Sequence, residues 1–413
     1  MKNKYTSIFV AFVLLFSLSA CNMTQSDKQF DPRLVNFSAE YNTLFDGQIY
    51  PSLILGLNQA TNSEPKSQPT ELFSLSVTAP RDGAVLRVVI DSSALNYVTI
   101  IQEILPRRGE TYTFQPMLKW KYDVLRRLRQ PGAVDLTFTC YINDEEVDIK
   151  NMHLAYRSVN ECPLSLVSKG QTNDFRWLFA AYVNEDHPQI EQILTDIAEQ
   201  GIVTRIAGYQ SNEKAVRDQV FAVWYYALDR GLTYSSITCT SNPSPRANVQ
   251  HIRFFDEVWQ SRQANCVDAC VFFASILRKM GLKPVIFVEP CHAYLGYYTD
   301  RQRRKIELLE TTITAWVNFP ELERSLDSTG RLPDDKFKRI SKYLSDKEVA
   351  SYNEGGMTFE QIKRIVARSL FDKATEYDRE TYTANRDHFA DSTFITYQQL
   401  DIEMLRRMVQ PIN

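Results

Sequence analysis

The chain has 413 residues, more than one ordinary domain needs, so two or three domains are expected. A hydrophobic share of 44% with 12% aromatics excludes a disordered chain, and only 14 Gly and 17 Pro exclude a collagen-like or low-complexity one. Lys+Arg 47 against Asp+Glu 50 leaves a net charge of −3 and no basic excess, so nucleic acid is not an expected partner. No internal repeat at solenoid or propeller periods is visible.

Residues 1–20 read as a secretory signal. Lys2 and Lys4 form a positive start, and Ile8 to Leu18 an apolar run. That run is too short to span a bilayer, which takes about 20 apolar residues. It ends in Leu18-Ser19-Ala20-Cys21, which resembles a bacterial lipobox. The resemblance implies cleavage before Cys21, lipid on that cysteine, and attachment to the cell envelope. Asn22 is not the Asp that resembles an inner-membrane retention signal, so the outer membrane is the expected site. Residues 21–33 are polar and read as a tether. No later segment is long and apolar enough for a transmembrane helix.

Residues 34–165 are expected to be β-rich. Leu72 to Val77 alternates at period two, and Ala84 to Ile90 and Leu136 to Ile142 are strand-like. Turn signals at Pro80-Arg81-Asp82-Gly83, Arg108-Gly109, Pro131-Gly132 and Asn143-Asp144 separate them. One helical piece, Trp120 to Arg129, interrupts the pattern. Short strands at this spacing suggest an antiparallel β-sandwich of immunoglobulin-like type. An envelope location permits a disulfide between Cys140 and Cys162, whereas Cys239 and Cys270 read as free buried cysteines.

Beyond residue 170 the period becomes helical. Ile190, Ile193, Leu194 and Ile197 mark a helix that Pro188 opens and Gly201 ends. Val216, Val220, Phe221, Trp224 and Leu228 mark a second, stopped by Gly231. A polar loop is expected over 235–248, then a short helix over 254–261. Val267, Cys270, Val271, Ala274 and Leu277 form the next helical stripe, ending at Gly281, with Cys266 at its start. Val285 to Val288 is an apolar strand. After the turn Glu289-Pro290-Cys291, His292 opens another strand that runs to Tyr298. Asp300 to Lys305 reads as a charged hairpin turn, and Ile306 to Leu309 as the returning strand with Glu310 at its end.

Nucleophilic cysteine chemistry needs a thiolate, and a helix N-terminus and a neighbouring imidazolium both favour one. The histidine needs an acceptor that fixes its ring. Cys266, His292 and Glu310 supply these parts in order. Antiparallel neighbours bring cross-strand Cβ atoms to about 5 Å, within reach of a His–carboxylate hydrogen bond. Glu307 or Asp300 is the alternative orienting acid, and His251 the alternative base.

Gln263-Ala264-Asn265-Cys266-Val267-Asp268, Cys291-His292-Ala293-Tyr294-Leu295-Gly296 and Leu308-Leu309-Glu310-Thr311-Thr312 resemble the three motifs of the transglutaminase-like superfamily, papain-like cysteine enzymes. Val249 to Arg253 resembles the lead-in to the cysteine helix of bacterial members. The resemblance covers about residues 185 to 320. It implies an α+β domain over 170–325, followed by an α-rich C-terminal extension over 326–413. It implies Cys266 as nucleophile, His292 as base and then acid, and Glu310 as its orienter. The acyl group passes through a thioester, on a peptide, protein or amide substrate, without a cofactor. Water is the expected acceptor, since bacterial members are often hydrolases. Besides the Cys266 backbone N–H, Gln250 is the candidate oxyanion donor.

Three positions depart from the bacterial pattern: Ala269 and Cys291 stand where Gly is common, and Glu310 where Asp is. They motivate a second expectation, an inactive fold serving as a binding or adhesion module, and a third, a Cys266–Cys291 disulfide. A zinc site of Cys266, Cys270, Cys291 and His292 is disfavoured, because adjacent strand residues 291 and 292 point to opposite faces. No metal is therefore expected. Arg301 to Lys305 reads as a solvated turn.

Overall fold

The computed structural model describes residues 30–57, 72–203, 205–237, 240–391 and 394–412. The signal segment, Cys21 and Cys239 lie outside them. Described structure begins inside the expected tether: Phe30 is buried, and Pro32–Leu34 forms a 3₁₀ turn closed by the Asp31 carboxylate.

Phe73–Thr78 shows the alternating burial that its period-two pattern predicts. It lies between Phe37–Tyr41 and Thr111–Phe114, antiparallel to both. A second sheet of five strands runs in the order Gln48–Ile49, Glu145–Tyr156, Gly132–Ile142, Ala84–Ile90 and Thr99–Leu105. The Phe73 and Phe138 rings are 5.9 Å apart, so the inner faces of the two sheets meet. Asn143 and Asp144 both have positive φ, the backbone a tight two-residue hairpin requires. The helix expected over 120–129 is a single turn, Tyr122–Leu125. Cys140 and Cys162 are separate, buried free thiols and form no disulfide. Burial pushes the Cys140 thiol up to about 12.

The stretch expected as a polar loop contains two strands, Thr240–Ser244 and Ala247–His251. The second pairs with Glu161–Ser168, which also pairs with Gln171–Asp174. Ala247 and Val249 are buried while Asn248 between them is exposed, a period too short to read among polar neighbours. Thr240–Ser244 is the edge of its sheet, and its register with Ala247–His251 shifts between Ser241 and Ser244.

The helices Pro188–Glu199, Glu213–Asp229, Phe255–Ser261 and Cys266–Lys279 follow the predicted stripes. Val267 to Leu277 is buried without a break, which makes this last helix a core element rather than a surface one. It packs on an antiparallel sheet ordered Ile306–Leu309, His292–Tyr298, Pro284–Glu289 and Gln398–Asp401. The fourth strand comes from the C-terminal region. It is four residues long and buries only Leu400 and Asp401, too little for a pattern to show.

The C-terminal region is helical. Its main helix, Phe359–Glu376, buries Ile362, Val366, Leu370, Phe371 and Ala374. Each of the four larger side chains, Ile362, Val366, Leu370 and Phe371, contributes about 1.5–3 kcal/mol. The helix packs on Glu213–Asp229 and on Ile306–Leu309. Lys363 is buried there and is neutralised by Asp229 at 2.5 Å and Glu360 at 2.8 Å. The whole is a mixed α+β protein with several sheets, one curled into a half-barrel, and a helical C-terminal region. Among the described residues no helix is long and apolar enough to cross a membrane.

Candidate active site

The cysteine helix starts at Cys266 because Asn265 and Asp268 cap it reciprocally. The Asp268 N–H donates to Asn265 Oδ1 at 2.9 Å, and the Asn265 N–H donates to Asp268 Oδ2 at 3.0 Å. Asp268 is fully buried and also accepts the Arg253 N–H at 2.8 Å and Arg253 Nη1 at 2.8 Å. This clamp ties the segment following the strand Ala247–His251 to the start of the helix. Cys266, in the first turn, sits at the positive end of the helix dipole and is partly exposed.

His292 is placed by the neighbouring hairpin. It pairs with Glu289 on one side, while Leu295 pairs with Leu309 on the other. One step further, Glu310 falls beside Tyr294 and diagonal to His292. The Glu310 N–H leaves the ladder and donates to the Ala374 carbonyl of the main C-terminal helix at 2.9 Å. Its carboxylate has no exposed surface. Oε2 lies 2.6 Å from His292 Nε2, and Oε1 accepts the Thr312 N–H at 2.7 Å. The Cys266 side chain is the other hydrogen-bonding neighbour of the His292 ring. The three residues thus form one hydrogen-bonded row.

The electrostatics follow the row. Burial works against a charged His292, but the bonds to Cys266 and Glu310 outweigh it and push its pKa up to about 11. Burial also works against a charged Glu310, and hydrogen bonds from His292, Asp378 and Thr312 still hold it below the usual carboxylate range. The alternative acids are committed elsewhere. Glu307 accepts the Tyr297 hydroxyl at 2.6 Å and faces Arg217, and Asp300 accepts the Gln302, Arg304 and Lys305 N–H groups of the turn. His251, the alternative base, lies on the strand Ala247–His251 and is not part of the row.

Gln250 is buried on the same strand. Its Nε2 donates to the His251 carbonyl at 2.9 Å, so one of its amide hydrogens is held within its own strand. Cys291 is exposed, with φ of 64°, in the left-handed region that favours glycine. It is a free thiol, as is Cys266. Cys270 is fully buried, and burial pushes its thiol well up. Among the described residues the ligand-type atoms grouped with His292 are those of Glu310 and Asp378 rather than those of the three cysteines of the suggested zinc set. Arg303 pairs with Glu403, Arg304 with Asp300 and Lys305 with Glu213, so most of the basic turn is neutralised locally.

Two residues near the row carry no signal in the sequence. Tyr234 pairs with Ala264, two residues before Cys266. Burial, and then the charges of Cys266 and Glu310, push its hydroxyl up. Asp378 lies at the junction of the two C-terminal helices Phe359–Glu376 and Arg379–Ala390, buried against Glu310. Its position 68 residues after Glu310, set by helix packing alone, leaves no spacing rule that finds it. His292, Glu310 and Asp378 bring their polar atoms within 4.8 Å of one another.

No family model matches this chain, and no curated protein matches it.

Proposed function

We propose that the protein is an envelope-anchored cysteine enzyme of transglutaminase-like type, performing thioester-mediated acyl transfer on peptide or amide substrates, with hydrolysis favoured over cross-linking. The observation that carries this reading is the row Cys266, His292, Glu310, assembled from a helix start and two strands. The Cys266 side chain meets an imidazole made strongly basic by its bonds to Cys266 and Glu310, the base a cysteine nucleophile needs.

Sγ attacks the scissile carbonyl carbon. The developing oxyanion accepts the Cys266 backbone N–H, free at the first helical position, with Gln250 as the candidate second donor. The tetrahedral adduct collapses as His292 gives its proton to the leaving amine, and the acyl group remains as a thioester. Water then attacks the thioester while His292 takes its proton, releasing the acid and regenerating Cys266. Glu310 stays ionised throughout and stabilises the imidazolium. An amine in place of water gives the cross-linked amide by the same steps.

In this reading residues 34–165 form an immunoglobulin-like β-sandwich, 170–325 the papain-like domain, and 326–413 its α-rich extension. Lipid on Cys21 holds the protein to the outer membrane. The test is iodoacetamide labelling of the chain lacking residues 1–21, followed by mass mapping across pH. Cys291 is exposed and serves as the internal standard. Cys266 is expected to label faster than Cys291 well below the ordinary thiol pKa of about 8.5, and His292→Ala to abolish the difference. If Cys266 labels no faster than Cys291 at any pH, catalysis is excluded and the binding-module reading takes its place.

A further inference from the structure

We propose that Asp378 is a positioning residue of the same site: a protonated carboxyl, delivered by the C-terminal helices, that donates a hydrogen bond to Glu310 and holds it in line with His292. This inference rests on the catalytic reading of Cys266 and adds a fourth member to the row.

The argument starts from donors and acceptors. Asp378 is 4% exposed, and no donor reaches its Oδ2. Its carboxyl nevertheless lies within 4.8 Å of the Glu310 carboxylate and the His292 ring, and is a hydrogen-bonding neighbour of Glu310. Two ionised carboxylates offer only acceptors, so one of them carries the proton that joins them. Glu310 accepts a ring N–H from His292 and a backbone N–H from Thr312, both of which favour its ionised form. Asp378 has no salt bridge among the described residues, and its nearest charges are mostly negative. The proton therefore belongs to Asp378.

The surroundings agree on every side. From the returning strand Asp378 faces Glu310, and from the histidine strand His292 and the Tyr294 hydroxyl. From the strand Pro284–Glu289 it faces Glu289, and from the cysteine helix the buried Cys270 thiol. Tyr382, on the helix that follows it, stands near Tyr294 and adds no positive charge. Only His292 favours an ionised Asp378. Burial, then the hydrogen bond and charge of Glu310, push the Asp378 pKa up to about 8. A neutral Asp378 anchors the Glu310 carboxylate from behind, as the Glu310 N–H to Ala374 bond anchors its backbone. Glu310 is thus held at both ends by the C-terminal region.

The experiment uses the full-length chain in detergent, as wild type, Asp378→Asn and Asp378→Ala. Asparagine keeps the size and supplies an N–H donor to Glu310 without a titrating group. Infrared difference spectra between about pH 6 and about pH 10 read the carbonyl stretch of a protonated carboxyl group directly. The band is expected in wild type at the lower pH, lost at the higher, and missing in Asp378→Asn. Superimposable wild-type and Asp378→Asn spectra would overturn the proposal whether or not Cys266 reacts. Labelling of Cys266 across pH is the second readout. Asp378→Asn is expected to keep the wild-type rate within about threefold and lose any inflection near pH 8, whereas Asp378→Ala falls about tenfold, by loss of a positioning hydrogen bond. If asparagine falls as far as alanine, the positioning role is wrong. An inert Cys266 in wild type refutes the catalytic reading and leaves the infrared result to decide the state of Asp378.

Discussion

His292 Nε2 stands 2.6 Å from Glu310 Oε2, and that carboxylate is sealed from solvent. A short, buried, charge-assisted bond of this kind does two things: it fixes the ring and it raises its basicity. Glu310→Gln keeps the shape and removes the charge. The basicity of His292 is then expected to fall, and turnover of an amide substrate to drop by about 10²–10⁴-fold. The pH profile of Cys266 labelling checks the cause. Its low-pH reactivity should be lost in Glu310→Gln while labelling of the exposed Cys291 is unchanged.

Cys291, directly before the histidine, holds φ at 64°. A side chain in this region costs about 1–2 kcal/mol. Glycine removes that strain but adds about 0.4–1 kcal/mol of chain entropy to the unfolded state. The steric gain is the larger, so Cys291→Gly is expected to raise stability by about 0.5–1 kcal/mol in denaturant unfolding. Cys291→Val, with a branched Cβ, is expected to lower it. Since Cys291 is exposed, the glycine variant should keep Cys266 reactivity. A glycine variant less stable than wild type would show that the positive φ is not strained.

The two halves of the site differ in how well the chain reports them. Cys266 was legible because Val267, Cys270, Val271, Ala274 and Leu277 repeat at helical spacing up to the Gly281 stop. His292 and Glu310 were legible because a hairpin is local: the turn over 300–305 sets which residues face each other. Asp378 is placed by the docking of Phe359–Glu376 on the returning strand, a contact between distant segments that no local period encodes. The strands Gln398–Asp401 and Thr240–Ser244 escaped for a related reason. Each is short and stabilised by its neighbour's ladder rather than by its own apolar pattern.

Asp268 tests the clamp beneath the nucleophile. Its carboxylate meets the Arg253 guanidinium, the Arg253 N–H and the Asn265 N–H, all donors, with no exposed surface. Asp268→Ala leaves a mostly buried cation and two N–H groups without that acceptor. Breaking a buried pair in this one-sided way costs about 3–5 kcal/mol. The expected result in thermal unfolding is a large fall in Tm, or loss of folded protein at expression temperature. A variant with unchanged Tm would mean that the clamp is not what holds the helix start.

Glu185 joins the far end of the cysteine helix to the C-terminal region. Oε1 accepts Arg278 Nη2 at 2.8 Å, and Oε2 accepts Arg406 Nη2 at 2.7 Å. Arg406 also donates to the Ala180 and Val183 carbonyls. Burial alone would raise the Glu185 pKa, but the hydrogen bonds from Arg406 and Arg278 win and lower it from 4.5 to about 2. A depressed carboxylate pKa gives stability that is present above the unfolded value and is lost as pH falls toward the folded one. The contribution of Glu185 is therefore full at neutral pH and fades between 4.5 and about 2. Glu185→Gln is expected to cost about 2 kcal/mol at pH 7, the scale of hydrogen bonds to a charged group. Denaturant unfolding at stepped pH should show the wild-type and Glu185→Gln curves converging as the medium becomes acidic. A gap that stays constant with pH would assign the loss to packing rather than to the ionised bridge.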